Sequence, residues 1–237
     1  MSKKIAAFTL ILFLSINAFA QTEPTSKGDG ESKGFRFGLQ FSPQLGWTKA
    51  GDKFTNTSGV KFGFNYGLIA DFSIGNNYAF STGLNISQTP TVIQHNDTIK
   101  FNSFETDTFL IGTKASYKLQ YIEIPLVLKL KTNEIGYVTY FGQFGLNLGV
   151  ATSSKGDISD PLNTSHNKVD ENLGADISPF NLSLNIGGGI EYSLSKNTAF
   201  VTSISFHNGF LDISDSPKNF KTKSTLNQVE LRLGILF

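Results

Sequence analysis

Apolar and polar residues alternate with a period of two along most of the chain after residue 34. Between Val60 and Ile74, for example, every even position is apolar, and the intervening positions are mostly glycine or polar. This period places alternate side chains on opposite faces of a β-strand, whereas a helix would repeat every three to four residues. Eight such runs lie between Phe35 and Phe237. The pattern therefore predicts an all-β chain of eight strands.

The segments that connect these predicted strands alternate between long and short. In chain order they cover about residues 48–59, 75–77, 88–116, 132–136, 151–180, 194–197 and 211–224. In a soluble up-and-down barrel, the long loops are not expected to lie all at one end. A transmembrane barrel of the bacterial outer membrane has an even strand number, short periplasmic turns and long external loops. The loop lengths therefore favour the membrane barrel over the soluble one.

Glycine is concentrated on the polar face of the predicted strands, where the narrow interior of a small barrel leaves little room. The residues concerned are Gly38, Gly63, Gly67, Gly83, Gly145, Gly149, Gly187, Gly189 and Gly234. The opposite face carries Phe, Leu, Ile, Val and Tyr, which suits contact with lipid. We therefore predict an eight-stranded antiparallel up-and-down transmembrane β-barrel.

The N-terminus has the features of a secretory signal peptide. Lys3 and Lys4 precede a mostly apolar stretch from Ile5 to Ile16, and Ala18-Phe19-Ala20 matches an A-x-A cleavage site. The stretch is shorter than the roughly 20 residues that a spanning helix needs. We expect export and insertion into the outer membrane. The predicted domains are a cleaved signal peptide (1–20), a flexible linker (21–33) and the barrel (34–237).

Composition excludes several classes of function. The chain has no cysteine, so neither a disulfide framework nor a thiolate metal site is expected. Removal of residues 1–20 takes away Lys3 and Lys4 and leaves 18 basic against 19 acidic residues, a net charge of −1. A nearly neutral exported chain is not expected to bind nucleic acid.

Particular segments resemble the PorT-type outer-membrane β-barrel family of Bacteroidetes. They are the Ala20-Gln21 junction, the strand Tyr121–Lys129, the stretch Gly187–Tyr192 and the aromatic C-terminus. The resemblance covers about residues 34 to 237 and implies an integral outer-membrane location. The namesake of the family is associated with gliding and protein secretion, so the resemblance implies a link to secretion, although most members have no established activity.

Charged residues recur on the polar face of the predicted strands. Arg36 begins an outgoing strand, and the ends of returning strands carry Asp71, Lys129, Glu191 and Arg232, so strand direction places all five in the periplasmic third of the barrel. Because an isolated buried charge is costly, mixed signs in a narrow interior favour a paired and hydrogen-bonded plug over an ion pathway. The predicted lumen network consists of Arg36, Lys61, Asp71, Glu123, Lys129, Glu191, Glu230 and Arg232.

Catalysis and metal binding have little support in the sequence. Ser205, His207 and Asp212 lie near the outer end of one strand, but Ser205 and His207 are simply neighbours on the same face. The acidic loop 151–180 contains no Asp-x-Asp-x-Asp-Gly pattern. We predict no catalytic, cofactor or metal site, and a lipid-modifying enzyme is the weakest alternative.

The C-terminus and the long loops indicate the expected partners. Leu233, Ile235 and Phe237 share one face and are similar to the C-terminal signal by which barrels are recognised for assembly. Outer-membrane lipid and the barrel assembly machinery are therefore expected partners.

The two longest connections provide the most exposed surface. Phe101, Phe104, Phe109 and Leu110 indicate that 88–116 is partly structured, as a strand extension above the membrane. Asn, Thr and Ser in both connections suit contacts with glycans, proteins or lipopolysaccharide. We predict a structural or surface-interaction protein with an extracellular ligand or envelope partner that the sequence does not identify. A narrow pore for ions or small solutes is the alternative.

Overall fold

The computed structural model describes residues 34–51, 53–57, 59–104, 107–215 and 223–237. The predicted signal peptide 1–20 and linker 21–33 lie outside these described residues. Among the described residues, no helix is long and apolar enough to cross a membrane. The strands are β1 (Phe35–Ala50), β2 (Thr55–Thr57), β3 (Lys61–Gly75), β4 (Tyr78–His95), β5 (Lys114–Lys131), β6 (Val138–Ser159), β7 (Lys168–Asn172), β8 (Phe180–Ser193), β9 (Ala199–Gly209) and β10 (Ser224–Leu236).

Eight long strands close into a single antiparallel barrel. They pair in the order β1–β3–β4–β5–β6–β8–β9–β10, and β10 pairs with β1 to complete the ring. At this closing seam Leu39 lies opposite Ile235 and Phe41 opposite Leu233. Closure leaves no unpaired strand edge in the ring, as a membrane-spanning sheet requires. The predicted eight-stranded antiparallel barrel is confirmed.

The alternation seen in the sequence corresponds to an exposed outer wall and a buried inner wall. On β1, Leu39 is 60% exposed and Phe41 51%, whereas the intervening Gln40 is 7% exposed. The interior is narrow: a Cβ placed on Gly189 would lie 2.5 Å from the Cβ of Ser203. An apolar outer wall of this kind is suited to the hydrocarbon core of a membrane.

Three strands continue beyond their predicted ends. β4 reaches His95, β5 begins at Lys114 and β6 reaches Ser159, so much of the predicted loops 88–116 and 151–180 is strand. The short strands β2 and β7 pair with β4 and β6. Together they form a five-stranded sheet, β2–β4–β5–β6–β7, at the end opposite the short turns. Since short turns of outer-membrane barrels are periplasmic, this extension is extracellular.

The apolar face changes sides where β5 enters the extension. From Ile122 to Leu130 the even-numbered residues of β5 are apolar and point outward, whereas Tyr117, Leu119 and Tyr121 point inward and are at most 3% exposed. Within the membrane the outer wall faces hydrocarbon, but above it the outer wall faces water and only the inside can be apolar. The Tyr121–Ile122 step therefore marks the upper limit of the lipid-facing belt on this strand.

A β-bulge in β6 lies at the same level. Gln120 pairs with Ser153 and Tyr121 with Ala151, so Thr152 is an additional residue on β6. A bulge shifts the alternation of the strand that contains it. Consequently, odd-numbered residues of β6 point inward below Thr152 and outward above it.

Candidate functional site

A buried charge cluster occupies the periplasmic third of the lumen. Glu191 Oε2 accepts a hydrogen bond from Arg36 Nη2 at 2.6 Å, and Glu191 Oε1 lies 3.1 Å from both Lys129 Nζ and Lys131 Nζ. Lys129 Nζ also donates to Asp71 Oδ2 at 2.7 Å. Two carboxylates therefore hold three cations together, and every charge has an opposite partner.

Strand register explains why these residues meet. Arg36 lies directly opposite Asp71 in the β1–β3 pair, and Lys129 projects from β5 into the same level of the interior. Ser81 on the intervening strand β4 donates to Asp71 Oδ1 at 2.6 Å. The Lys129 ammonium also lies 4.6 Å from the centroid of the Phe141 ring, which provides a cation–π contact.

Lys131 is a member of this cluster that the predicted network omitted. It is the last residue of β5 and has the same inward parity as Lys129, but the predicted network stopped at Lys129. Its side chain is 12% exposed because it bends toward Glu191. The inward parity that Lys131 shares with Lys129 was the signal that points to this further lysine.

The middle of the lumen contains a second, mostly neutral polar layer. Glu230 Oε2 lies 3.6 Å from His207 Nε2, and Glu230 Oε1 lies 3.5 Å from Arg232 Nε. His207 Nδ1 lies 2.8 Å from Asn147 Nδ2, and Asn65 Nδ2 donates to Glu230 Oε2 at 3.4 Å. This layer connects β3, β6, β9 and β10 through side chains across the interior.

Amide side chains extend this layer around the wall. Gln40 Nε2 donates to Asn85 Oδ1 at 2.8 Å, and Gln143 Nε2 donates to Ser205 Oγ at 2.9 Å. Glu123 is 4% exposed on the inner face of β5, and no ion pair among the described residues includes it. Several of the hydrogen bonds in the middle interior therefore join neutral side chains.

Lys61 does not lie in either cluster. It is the first residue of β3, opposite Gly46 near the extracellular end of β1, and it is exposed at the rim. The other seven residues of the predicted network are buried on the inner wall: Arg36, Asp71, Glu123, Lys129, Glu191, Glu230 and Arg232. Lys61 was included because its position has the parity of the inner face, but β3 begins there and is paired with β1 alone, since its pairing with β4 starts only at Phe64.

The serine, histidine and aspartate considered for catalysis are not brought together. Ser205 and His207 are buried in the middle layer and bond to Gln143 and Asn147. Asp212 lies in the loop after β9, where its carboxylate accepts the backbone N–H of Ser224 at 2.9 Å. Within the described residues, no cluster of three or more His, Asp or Glu is suited to a metal ion.

A cluster of buried apolar residues, here called the cap, lies inside the barrel wall at the extracellular end. Phe109 is fully buried, and its ring lies 5.1 Å from that of Phe101 in an edge-to-face arrangement. Ile99 and Phe109, which both lie between β4 and β5, exchange two backbone hydrogen bonds of 2.9 Å. The cap consists of Ile93, Ile99, Phe101, Phe109, Ala115, Tyr117, Leu119, Tyr121, Ile158, Leu173, Ile177, Ile213 and Leu226.

Two buried aspartates connect the loops that form the cap. Asp160 accepts backbone N–H bonds from Leu110 at 3.1 Å and from Leu162 and Asn163 at 3.0 Å. Asp176 accepts the backbone N–H of Asn102, which joins a second pair of loops. Burial raises the pKa of Asp160, but the three backbone donors outweigh it and hold the pKa below its ordinary value.

The Asp160→Asn variant is expected to lose about tenfold in the amide-exchange protection of Leu162 and Asn163, because a neutral acceptor binds N–H groups less strongly than a carboxylate. Because the pKa of Asp160 is lower in the folded protein than in the unfolded one, its ionisation stabilises the folded form above the unfolded pKa of about 3.9. The protection of these amides should therefore fall as the pH drops below about 4. NMR exchange rates, corrected for intrinsic pH dependence, test both effects. The exposed Asp97→Asn is the control, and equal rates in both variants would contradict the anchoring role.

The predicted assembly-signal residues lie on the outer wall at the closing seam. Leu233 is 38% exposed, Ile235 40% and Phe237 46%. Phe237 exchanges backbone hydrogen bonds with Phe37, and the two rings lie 5.8 Å apart. The C-terminal residues thus present side chains to lipid while their backbone completes the ring.

These features define an integral β-barrel protein of the outer membrane. Residues 19–215 match the family model described as outer membrane protein beta-barrel domain, and the chain belongs to that family. No curated protein matches the sequence.

Several solved barrels are similar to this chain at low identity. Neisserial surface protein A is 13% identical, covers 86% of this chain and 96% of its own, and has a TM-score of 0.45. Ail, the attachment invasion locus protein of Yersinia pestis, is 15% identical, covers 85% and 98%, and has a TM-score of 0.43. OprG from Pseudomonas aeruginosa is 14% identical, covers 86% and 95%, and has a TM-score of 0.42.

Proposed function

We propose that this protein is a closed outer-membrane barrel that acts through its extracellular surface and does not conduct solutes. The observation that carries the proposal is the apolar cap above a lumen whose periplasmic third is filled by paired charges. A solute would have to cross both barriers. The rigid cap would then serve to present the surrounding loops to a ligand or envelope partner.

The charge cluster argues against an ion path along the periplasmic third. Asp71 and Glu191 are at most 5% exposed, and each carboxylate contacts at least two cationic side chains. A permeating ion would have to displace these partners and leave buried charges uncompensated, which is costly. Eight strands also enclose an interior that side chains are able to fill.

A narrow pore is the second candidate, and the middle layer favours it. Ser42 Oγ, Gln44 Oε1 and Asn65 Oδ1 are buried on the inner wall and accept no hydrogen bond from another side chain or the backbone. Buried oxygens of this kind are usually satisfied by water. A hydrated middle layer would conduct if both ends opened transiently.

Planar-bilayer recordings of the refolded protein separate the two candidates. The closed barrel is expected to give no discrete conductance steps in concentrated salt, whereas a porin inserted into the same bilayers gives steps and controls for detection. Glu191→Gln, which weakens the charge cluster, is recorded in the same way. Glu134→Gln, in an exposed periplasmic turn, is its matched control. Regular steps from the unmodified protein would contradict the proposal.

Export, assembly and family membership complete the proposed role. The Lys3-Lys4 start and the Ala18–Ala20 site support cleavage after Ala20. The outward C-terminal side chains support recognition by the assembly machinery, and the outer wall supports contact with membrane lipid. A PorT-type Bacteroidetes relationship and a link to protein secretion are supported by the sequence resemblance alone.

A further inference from the structure

A polar groove lies on the outer wall of the barrel, on the tall side formed by β4, β5 and β6. It has a volume of about 420 Å³. The side chains that matter for its chemistry are Gln88, Pro90, Lys118, Gln120, Ser153 and Lys155. The polar part of the lining therefore combines two cations with amide and hydroxyl groups, and it lies beside apolar groups that include Pro90 and Leu119.

The groove begins where the lipid-facing belt ends. Along the outer face of β5, Ile124 and Ile122 are followed by Gln120 and Lys118. Along β6, Val150 is the last outward apolar residue before the bulge and the polar positions above it. This change from apolar to polar places the groove at the level of the headgroups of the outer leaflet.

Two lysines face each other in this groove. Lys118 lies directly opposite Lys155 in the β5–β6 register, and like charges at such positions destabilise a sheet. Asp170 on β7 lies 3.5 Å from both ammonium groups, which hold its pKa below the ordinary value. All three side chains are more than half exposed, so these ion pairs contribute little to the stability of the fold.

The bulge is what brings Lys155 to this position. Below Thr152, odd-numbered residues of β6 such as Gln143 and Asn147 point into the lumen. The additional residue moves Lys155 to the outer wall, beside Lys118. Bulges often redirect a side chain near a functional site, and here the redirected side chain is a cation at the membrane surface.

We propose that this groove binds the phosphate group of an anionic lipid headgroup in the outer leaflet. Lys118 and Lys155 donate to the phosphate oxygens, and Gln88, Gln120 and Ser153 bond to neighbouring polar groups of the headgroup. Asp170 competes with the phosphate for the two ammonium groups. A lipid is the occupant because the groove opens on the outer wall directly above the lipid-facing belt, at the height of the lipid headgroups. This binding is independent of whether the lumen conducts.

Native mass spectrometry of the full-length mature protein in detergent tests the proposal. The probes are lipid A with its phosphates and the same lipid after enzymatic dephosphorylation. The unmodified protein is expected to bind the phosphorylated form at least about tenfold more tightly, since each charge-assisted hydrogen bond contributes roughly 1.4 kcal/mol or more, which is a factor of ten. The Lys118→Gln/Lys155→Gln double variant is expected to lose this preference.

A third variant makes the test specific to this geometry. Asp170→Asn removes the competing carboxylate and is expected to increase affinity for the phosphorylated lipid. Asn is suitable because Asp170 has a φ of 54°, a left-handed conformation that asparagine tolerates. Lys100→Gln, in the loop between β4 and β5 and outside the groove, controls for the loss of one positive charge. Heat-dependent gel migration checks that every variant folds.

Three results would overturn the proposal. They are equal binding of both lipid forms, unchanged affinity in the double variant, and lower affinity after Asp170→Asn. A competition experiment addresses the source of the phosphate. Bound lipid A is expected to remain in millimolar inorganic phosphate, and its displacement there would assign the groove to a soluble anion.

Discussion

Replacing Glu191 with Gln is expected to lower the free energy of unfolding of the barrel by about 3–5 kcal/mol, the usual cost of breaking a buried ion pair. Glu191 is the carboxylate that contacts Arg36, Lys129 and Lys131 together. Without it, Asp71 alone would face three cations in an interior that excludes most water. Urea unfolding in lipid vesicles, followed by the fluorescence of the single Trp47, measures the change.

Glu134→Gln is the matched control for this prediction. Glu134 lies in the exposed turn between β5 and β6, at the same end of the barrel, so its substitution should change the unfolding free energy by less than about 0.5 kcal/mol. A Glu191→Gln protein that is as stable as this control would show that the charge cluster does not stabilise the barrel.

Replacing Phe109 with Ala is expected to destabilise the cap by about 3–5 kcal/mol, because a fully buried aromatic ring is lost and a cavity remains. The ring packs against Phe101, Phe104 and His166. The ring of eight strands within the membrane, here called the membrane ring, does not depend on these contacts. Limited proteolysis with trypsin should therefore cut the loop at Lys100 much faster, while heat-dependent gel migration of the barrel stays unchanged.

Phe54→Ala provides the control for the cap. Phe54 is 51% exposed in the segment before β2, so the same truncation removes little buried surface. Similar cleavage rates in both variants would mean that Phe109 does not hold the cap together. Loss of the gel shift in Phe109→Ala would show instead that cap and barrel fold as one unit.

Cap and membrane ring are stabilised by different physical effects. Below the Tyr121–Ile122 step, the outer wall contacts hydrocarbon and the interior is held by ion pairs and hydrogen bonds. Above it, residues such as Phe109 and Ile158 form a core that is shielded from water. An interaction protein can therefore vary its extracellular loops without changing the part that spans the membrane.

Much of the transmembrane ring was predictable from local alternation, because the two faces of a strand meet opposite solvents in a lipid-embedded barrel. This contrast was sufficient for the strand number, the closed topology and the outward apolar belt. Strand direction also placed Arg36, Asp71, Lys129 and Glu191 at a common depth, since adjacent antiparallel strands return charges to the same end. It was wrong for Arg232, which lies higher, beside Glu230 and Gln143 in the middle layer.

The extracellular extension was harder to predict, because its apolar face points the other way. Above the lipid-facing belt the outward positions become polar, so the predicted loops began at residues 88 and 151, although β4 continues to His95 and β6 to Ser159. The Phe residues at 101, 104 and 109 did indicate structure in this loop. Their packing partners, such as Leu173 and Ile213, come from distant segments that only the fold brings together.

Single residues at strand ends depended entirely on the tertiary structure. Parity placed Lys61 in the lumen, but the rim geometry leaves it exposed, and Lys131 joins the cluster by bending toward Glu191. The extra residue Thr152 directs Lys155 outward to face Lys118. A pattern of period two predicts which residues of a strand share a face. It does not predict where a bulge shifts the alternation, nor which long side chains come into contact across the barrel.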